Sequence, residues 1–94
     1  MKSILQKDTD RCLFCHSNIW LEWHHVFGAA FKKKSEQYGL MVRLCHTCHN
    51  EPPFGVHQDR QIRRKLQAYA QKKAMEYHEL TKEEFIKIFG KNYL

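Results

Sequence analysis

Two Cys-x-x-Cys pairs, Cys12-Leu13-Phe14-Cys15 and Cys45-His46-Thr47-Cys48, constrain this chain more than any other feature. Two residues between cysteines let both thiolates of a tight turn face one ion. Two such pairs complete a closed tetrahedral set with no position left for chemistry. The chain has 94 residues, and a domain of that size buries only a modest fraction of its surface, so a staple matters to it. Four free buried cysteines would require coincidence of two pairs in a short chain. A redox Cys-x-x-Cys would need a thioredoxin-like βαβ context, which is absent. The stretch MKSILQKDTDR offers only Ile4-Leu5 as an apolar core, far short of a secretory signal. It predicts a soluble, cytoplasmic protein whose thiols stay reduced, which disfavours disulfides. Structural Zn²⁺ on Cys12, Cys15, Cys45 and Cys48 is therefore expected. The 29 residues between the pairs exceed a zinc-ribbon spacing and predict an elaborated loop.

Composition adds the frame. Hydrophobic residues make up 43% and charged residues 28%, as in a globular protein, and no apolar run approaches the roughly 18 residues of a membrane span. Residues 12–58 hold all four cysteines and six of the seven histidines, whereas 59–94 hold only His78. We read one domain over 1–94, with a ligand-rich part at 10–58 and a basic helical extension at 59–94. Ile19–Trp23 and Leu40–Leu44 are short β-prone runs, each leading into a ligand candidate. Lys32-Lys33-Lys34-Ser35 between them reads as an exposed loop, and Pro52-Pro53-Phe54-Gly55 as another. Asp59 can cap a helix reaching about His78, with Ile62, Leu66, Tyr69, Ala70 and Tyr77 on its apolar face. Thr81-x-x-Glu84 is a capping box that opens a second helix over Phe85, Ile86 and Phe89, stopped at Gly90.

A closed sulfur site leaves His24, His25, His49 and His57 without employment. Imidazole is the commonest metal ligand and the usual general base near neutral pH. One imidazole can hold an open metal site while its neighbour activates water; the alternative for each is a structural side chain. His16 and His46 lie in or beside the knuckles and read as structural or exposed. His78 is far from the cluster and receives no role.

The order Cys-x-x-Cys, His-His, Leu-Cys-x-x-Cys-His and a later His resembles the HNH endonucleases, the ββα-metal nucleases. More narrowly, it resembles the small HNH-type proteins of phages and prophages. The resemblance covers about residues 10–58, and the segment 59–94 is similar to the C-terminal extension of that group. It implies an α+β fold, a zinc-stapled ββα-metal core with a C-terminal helical extension. It implies His24 as a ligand of a catalytic divalent metal, His25 as general base, and His49 as a second ligand. The further ligand one helical turn later falls on Pro53, which cannot ligate. His57 replaces it only if the Pro52-Pro53 segment bends back. The family's central Asn falls on Leu40, which leaves His25 without its usual partner.

The implied reaction is phosphodiester hydrolysis. His25 takes a proton from water, and the metal stabilises charge on a phosphate oxygen. An all-imidazole set suits Mn²⁺, Ni²⁺ or Zn²⁺, with Mg²⁺ admissible where water and phosphate complete the shell. The formal charge is +6, which tilts the partner toward a polyanion. The implied substrate is DNA, double-stranded and bound with weak sequence preference. Phosphate contacts are expected from Lys32, Lys33, Lys34, Arg43, Arg63, Arg64 and Lys65. A solvated helix face explains the last three equally well. Two other readings stand beside the nuclease. One is a non-catalytic zinc-stabilised nucleic-acid-binding or phage adaptor protein, to which the missing Asn lends support. The other is a purely structural metal protein.

Overall fold

The computed structural model describes residues 2–94. Its only sheet among those residues is an antiparallel pair, β1 (Leu21–His25) and β2 (Met41–Cys45), in the register Leu21↔Cys45, Trp23↔Arg43 and His25↔Met41. Both strands lie slightly later than the apolar runs suggest. Trp20 takes a left-handed φ of 52°, and Ile19 and Trp20 both face solvent, so β1 cannot begin before Leu21. His24 and His25 therefore belong to the strand instead of following it.

The connection between the strands corrects the loop expected at Lys32–Ser35. A 3-10 turn at Ala29–Phe31 runs into helix α1 (Lys32–Tyr38), and the three lysines are its exposed first residues. Ser35 is buried on the inner side of α1. Its hydroxyl donates to the Phe27 carbonyl at 2.6 Å and accepts from the Phe27 N–H at 3.2 Å. That pair of bonds ties α1 back to the end of β1. Helix α2 (His46–Asn50) follows β2 directly, with Cys45 as its N-cap.

Helix α3 (Arg60–His78) starts as expected, with the Asp59 carboxylate accepting from the N–H groups of Gln61 and Ile62 at 2.9 and 3.1 Å. Its buried stripe differs from the expected one. Leu66, Ala70 and Ala74, at intervals of four, are buried together with Gln71, whereas Tyr69 and Tyr77 are 42% and 61% exposed. Small alanines let α3 approach the core closely, and the tyrosines are left at its margin. His78 bonds the Tyr38 carbonyl at 2.9 Å, a structural role. Helix α4 (Lys82–Phe89) carries the full capping box of Thr81 and Glu84. It stops at Gly90, whose φ of 91° is one that few side chains tolerate.

The fold is thus α+β, a two-stranded sheet with four helices among the described residues. Val42 and Leu44 from β2, Val56, the α3 stripe, Phe27, Phe85 and Phe89 share one hydrophobic cluster. Phe27 is its hinge, with ring centroids 5.6, 4.9 and 4.8 Å from those of Phe85, Phe89 and Tyr93. The extension 59–94 is therefore built into the same core as the hairpin. Phe85→Ala should cost about 3–5 kcal/mol in urea unfolding. Tyr77→Ala should stay within about 0.5 kcal/mol, the opposite ranking to a helix with Tyr77 on its buried face.

Candidate metal centres

The sulfur atoms of Cys12, Cys15, Cys45 and Cys48 all lie within 4.8 Å of one another. The first pair sits in a turn closed by the Cys12 N–H on the Ser17 carbonyl at 2.8 Å and the His16 N–H on the Cys12 carbonyl at 3.0 Å. His16 takes the left-handed φ of 64° that this turn requires. The Leu13 N–H bonds the Arg43 carbonyl at 2.9 Å and so pins the turn to β2. The second pair spans the end of β2 and the start of α2, where the Cys45 sulfur accepts from the Cys48 N–H. Cys15 and Cys45 approach to 3.6 Å. A tetrahedral zinc with bonds of about 2.3 Å sets its sulfurs about 3.8 Å apart. The cluster is thus compatible with a structural metal such as zinc.

Without an ion these thiols are in conflict. Burial opposes the Cys12 thiolate, but the N–H groups of Cys15, Cys45 and Phe14 outweigh it and bring Cys12 down to about 7. Burial and the neighbouring sulfurs of Cys45 and Cys12 push Cys48 far above the usual thiol range. A divalent cation removes the conflict by favouring the ionised form of every member.

A second cluster is made of imidazoles. One ring nitrogen each from His24, His49 and His57 falls within 4.8 Å of the other two. His24 Nδ1 and His49 Nε2 are 3.3 Å apart, and His57 Nε2 and His49 Nε2 are 3.0 Å apart. With metal–nitrogen bonds of about 2.1 Å, adjacent ligands stand about 3.0 Å apart at right angles and about 3.4 Å apart in a tetrahedron. The spacing fits a coordination shell. The hydrogen-bond alternative is poorer. His49 Nδ1 lies 2.8 Å from Glu22 Oε1, which places the proton on that nitrogen and leaves Nε2 a single lone pair facing both other rings.

The three candidate ligands arrive from three parts of the fold. His24 comes from β1, where it is 4% exposed. Burial, with His49 and His57 nearby, pushes its pKa down to about 3, so it stays neutral and able to ligate. His49 comes from α2. His57 comes from the loop after it, which does bend back. The Val56 N–H bonds the Cys48 carbonyl at 2.8 Å and the His57 N–H bonds the His49 carbonyl at 3.1 Å. Gly55 permits this, because a Cβ there would lie 2.5 Å from the Glu51 carbonyl oxygen. His57 is exposed, so the trio opens to solvent on that side.

Glu22 was missed by reasoning from motifs. Its carboxylate accepts from Asn50 Nδ2 at 2.9 Å, lies 3.1 Å from His46 Nδ1 and orients His49. Hydrogen bonds from His49 and His46 hold its pKa below the usual range. The available signal was the period of a strand: Glu22 and His24, two residues apart, share a face. His46 has a structural place, stacked on Trp20 at 4.1 Å with the planes 7° apart.

His25 does not join the trio. Strand alternation directs it to the face opposite His24. Its Nε2 lies 3.3 Å from Glu36 Oε2 on α1. That approach is a charge contact and not a hydrogen bond, and the fully buried Leu40 offers His25 no polar group.

The expected phosphate-binding residues fall on separate surfaces. Lys32, Lys33 and Lys34 begin α1, and Lys34 Nζ reaches the Ile88 carbonyl at 3.2 Å. Arg43 is half-buried, with its guanidinium 5.0 Å from the Trp23 ring centre. Lys65 borders an apolar recess of about 510 Å³ with Leu13, Phe14, Phe54 and Tyr69, whereas Arg63 and Arg64 line a different, polar one. Comparison with family models, with curated proteins and with solved structures finds no match to this chain.

Two measurements test the centres. The wild type should bind one Zn²⁺ tightly, and Cys12→Ser should lose that binding and, with it, stabilisation on the order of 10 kcal/mol, seen as loss of the folded circular-dichroism spectrum. Glu22→Gln should retain that zinc but weaken Ni²⁺ binding at the trio by about 10–100-fold in calorimetric titration.

Proposed function

We propose that this chain is a metal-dependent phosphodiesterase acting on DNA, an endonuclease of the HNH type from a phage or prophage acting in the host cytoplasm. The observation that carries the reading is the convergence of His24, His49 and His57, with one side open and Glu22 bracing His49. That trio is separate from the four sulfurs, so a structural role for one cluster leaves the other free for chemistry. The donor set is all nitrogen, which suits Mn²⁺, Ni²⁺ or Zn²⁺ better than Mg²⁺. A bound divalent cation supplies Lewis acidity toward a phosphate oxygen and nothing else in this reading.

The remaining work falls to the chain. His25 accepts the proton of the water that attacks phosphorus, the P–O bond to the 3′ oxygen breaks, and that oxygen takes a proton from solvent. Glu36, 3.3 Å from His25 Nε2, stabilises by its charge the imidazolium that results. Because His24 and His25 end β1 on opposite faces, the substrate ester has to lie across the end of that strand. Arg63, bonded to the carbonyl of Val56 at 3.4 Å, brings a permanent cation beside the loop of His57. His24 is buried and uncharged and serves as a ligand, so it does not compete for the proton.

A non-catalytic zinc-stabilised nucleic-acid-binding or adaptor protein is the second reading, favoured by the buried Leu40 in the place of the family Asn. Plasmid nicking with added Mn²⁺, Ni²⁺, Zn²⁺ or Mg²⁺ separates the two. The wild type should nick with at least one of them, and His25→Ala should slow cleavage by about 10²–10⁴-fold with DNA binding retained. Unchanged cleavage by that variant removes His25 as the base. Binding without nicking under every metal selects the second reading.

A further inference from the structure

The segment after α4 carries no motif, yet it is held with care. Gln71 on α3 is fully buried, an unusual place for an amide. Its Nε2 donates to Asn92 Oδ1 at 2.9 Å, and its Oε1 accepts from the Tyr93 N–H at 2.6 Å. The Tyr93 ring then packs against Phe27 at 4.8 Å. These interactions fold residues 91–93 back along α3 and fix where Lys91 and Tyr93 stand.

They stand opposite one stripe of α3. Arg60, Arg63, Arg64 and Gln67 fall at intervals of three and four on the first turns of that helix. With Lys91 and Tyr93 they line a recess of about 220 Å³. Four of the six are cations and the other two can donate through an amide and a phenol. No carboxylate lines it. Asp59, the nearest acid in sequence, is occupied in capping α3. Among the described residues none of the four cations has a carboxylate within ion-pair distance; the ion pairs present involve Arg11, His25, His46 and His49. Gathering four like charges without a counterion is unfavourable, and a polyanion is what offsets it.

We infer that this cleft grips the backbone phosphates of a nucleic-acid strand, next to the imidazole trio, and that the segment 91–93 is one wall of it. The inference rests on the nucleic-acid reading above and extends it to residues that reading does not use, Arg60, Gln67, Gln71, Lys91 and Tyr93. A continuous backbone is the occupant, as opposed to a free phosphate, because four cations spread along α3 and the 91–93 segment outnumber the charge of one phosphate, and one of them reaches toward the trio. Arg63 belongs to it and also bonds the carbonyl of Val56, one residue before His57. A strand seated in the cleft therefore leads to the trio. Gln71 is a positioning residue: it touches no ligand and acts by holding Lys91 and Tyr93 in place.

The test is anisotropy of a short labelled DNA duplex with zinc-loaded protein and no added metal, across salt concentrations. Removing one phosphate-neutralising cation should lower the slope of log affinity against log salt by about 0.9. Arg60→Gln with Arg64→Gln should lower it by about two and Lys91→Gln by about one, while Lys91→Arg restores it. Gln71→Leu should weaken binding as Lys91→Gln does, with a lowered but still cooperative melting transition. Lys82→Gln, which removes the same charge from α4, should change little. Millimolar inorganic phosphate should compete no better than chloride at equal ionic strength. Equal losses in Lys82→Gln and Lys91→Gln overturn the cleft, as does displacement by free phosphate or a wild type that does not bind DNA. Binding with the expected slopes but no nicking upholds the cleft and removes the nuclease reading alone, so the two fail separately.

Discussion

The frame in which the imidazoles meet is set by holding residues 12–15 against residues 45–48. Cys45 is at once the last residue of β2, the N-cap of α2 and a member of the sulfur cluster. Fixing it fixes the exit of the strand and the direction of the helix in one place. The ladder then fixes β1 against β2, with Leu21 opposite Cys45. His24 on β1 and His49 on α2 consequently have little freedom relative to one another. A chain this short cannot secure a sheet of two five-residue strands by burial alone, since an isolated hairpin is marginal in water. The sulfurs, the core built on Phe27 and the covering helix α3 share that task.

Within this frame the trio is organised by a carboxylate that binds no ligand itself. Glu22 faces the same side as His24 and takes hydrogen bonds or close approaches from three side chains of α2: His46, His49 and Asn50. Orientation of one imidazole selects which of its nitrogens is free, and in His49 the free one is Nε2. Exposure also divides the trio usefully. The buried His24 anchors it, and the exposed His57 leaves one side open to solvent.

Much of this was legible in the residues. The sulfur cluster followed from spacing alone, because Cys-x-x-Cys admits few geometries. The caps at Asp59 and Thr81 and the stop at Gly90 were legible because local hydrogen bonding decides them. Tyr69 and Tyr77 misled, since an aromatic at helical spacing looks like core, while the close approach of α3 needs the smaller Ala70 and Ala74. The lysines at 32–34 read as a loop because helix α1 shows no apolar period; it buries only Ser35. Glu22 and Gln71 carried no motif at all. Their roles come from partners 27 and 21 residues away, His49 and Asn92, and separation of that kind is set by tertiary packing.

His57 shows how backbone can bring together residues that lie apart in sequence. A helix continued from α2 would have carried any later histidine away from His49. The chain instead leaves the helix at Glu51 and turns tightly through Gly55. It then runs back so that residues 56 and 57 hydrogen-bond the carbonyls of residues 48 and 49. The tightness of that turn is what excludes a side chain at 55. A ligand eight residues on in sequence thus ends beside His49 in space, its nitrogen 3.0 Å away. The same loop seats Val56 in the core and offers its carbonyl to Arg63. The imidazole trio and the cationic stripe of α3 are therefore placed by one turn of backbone, and a change that loosens Gly55 has to disturb both.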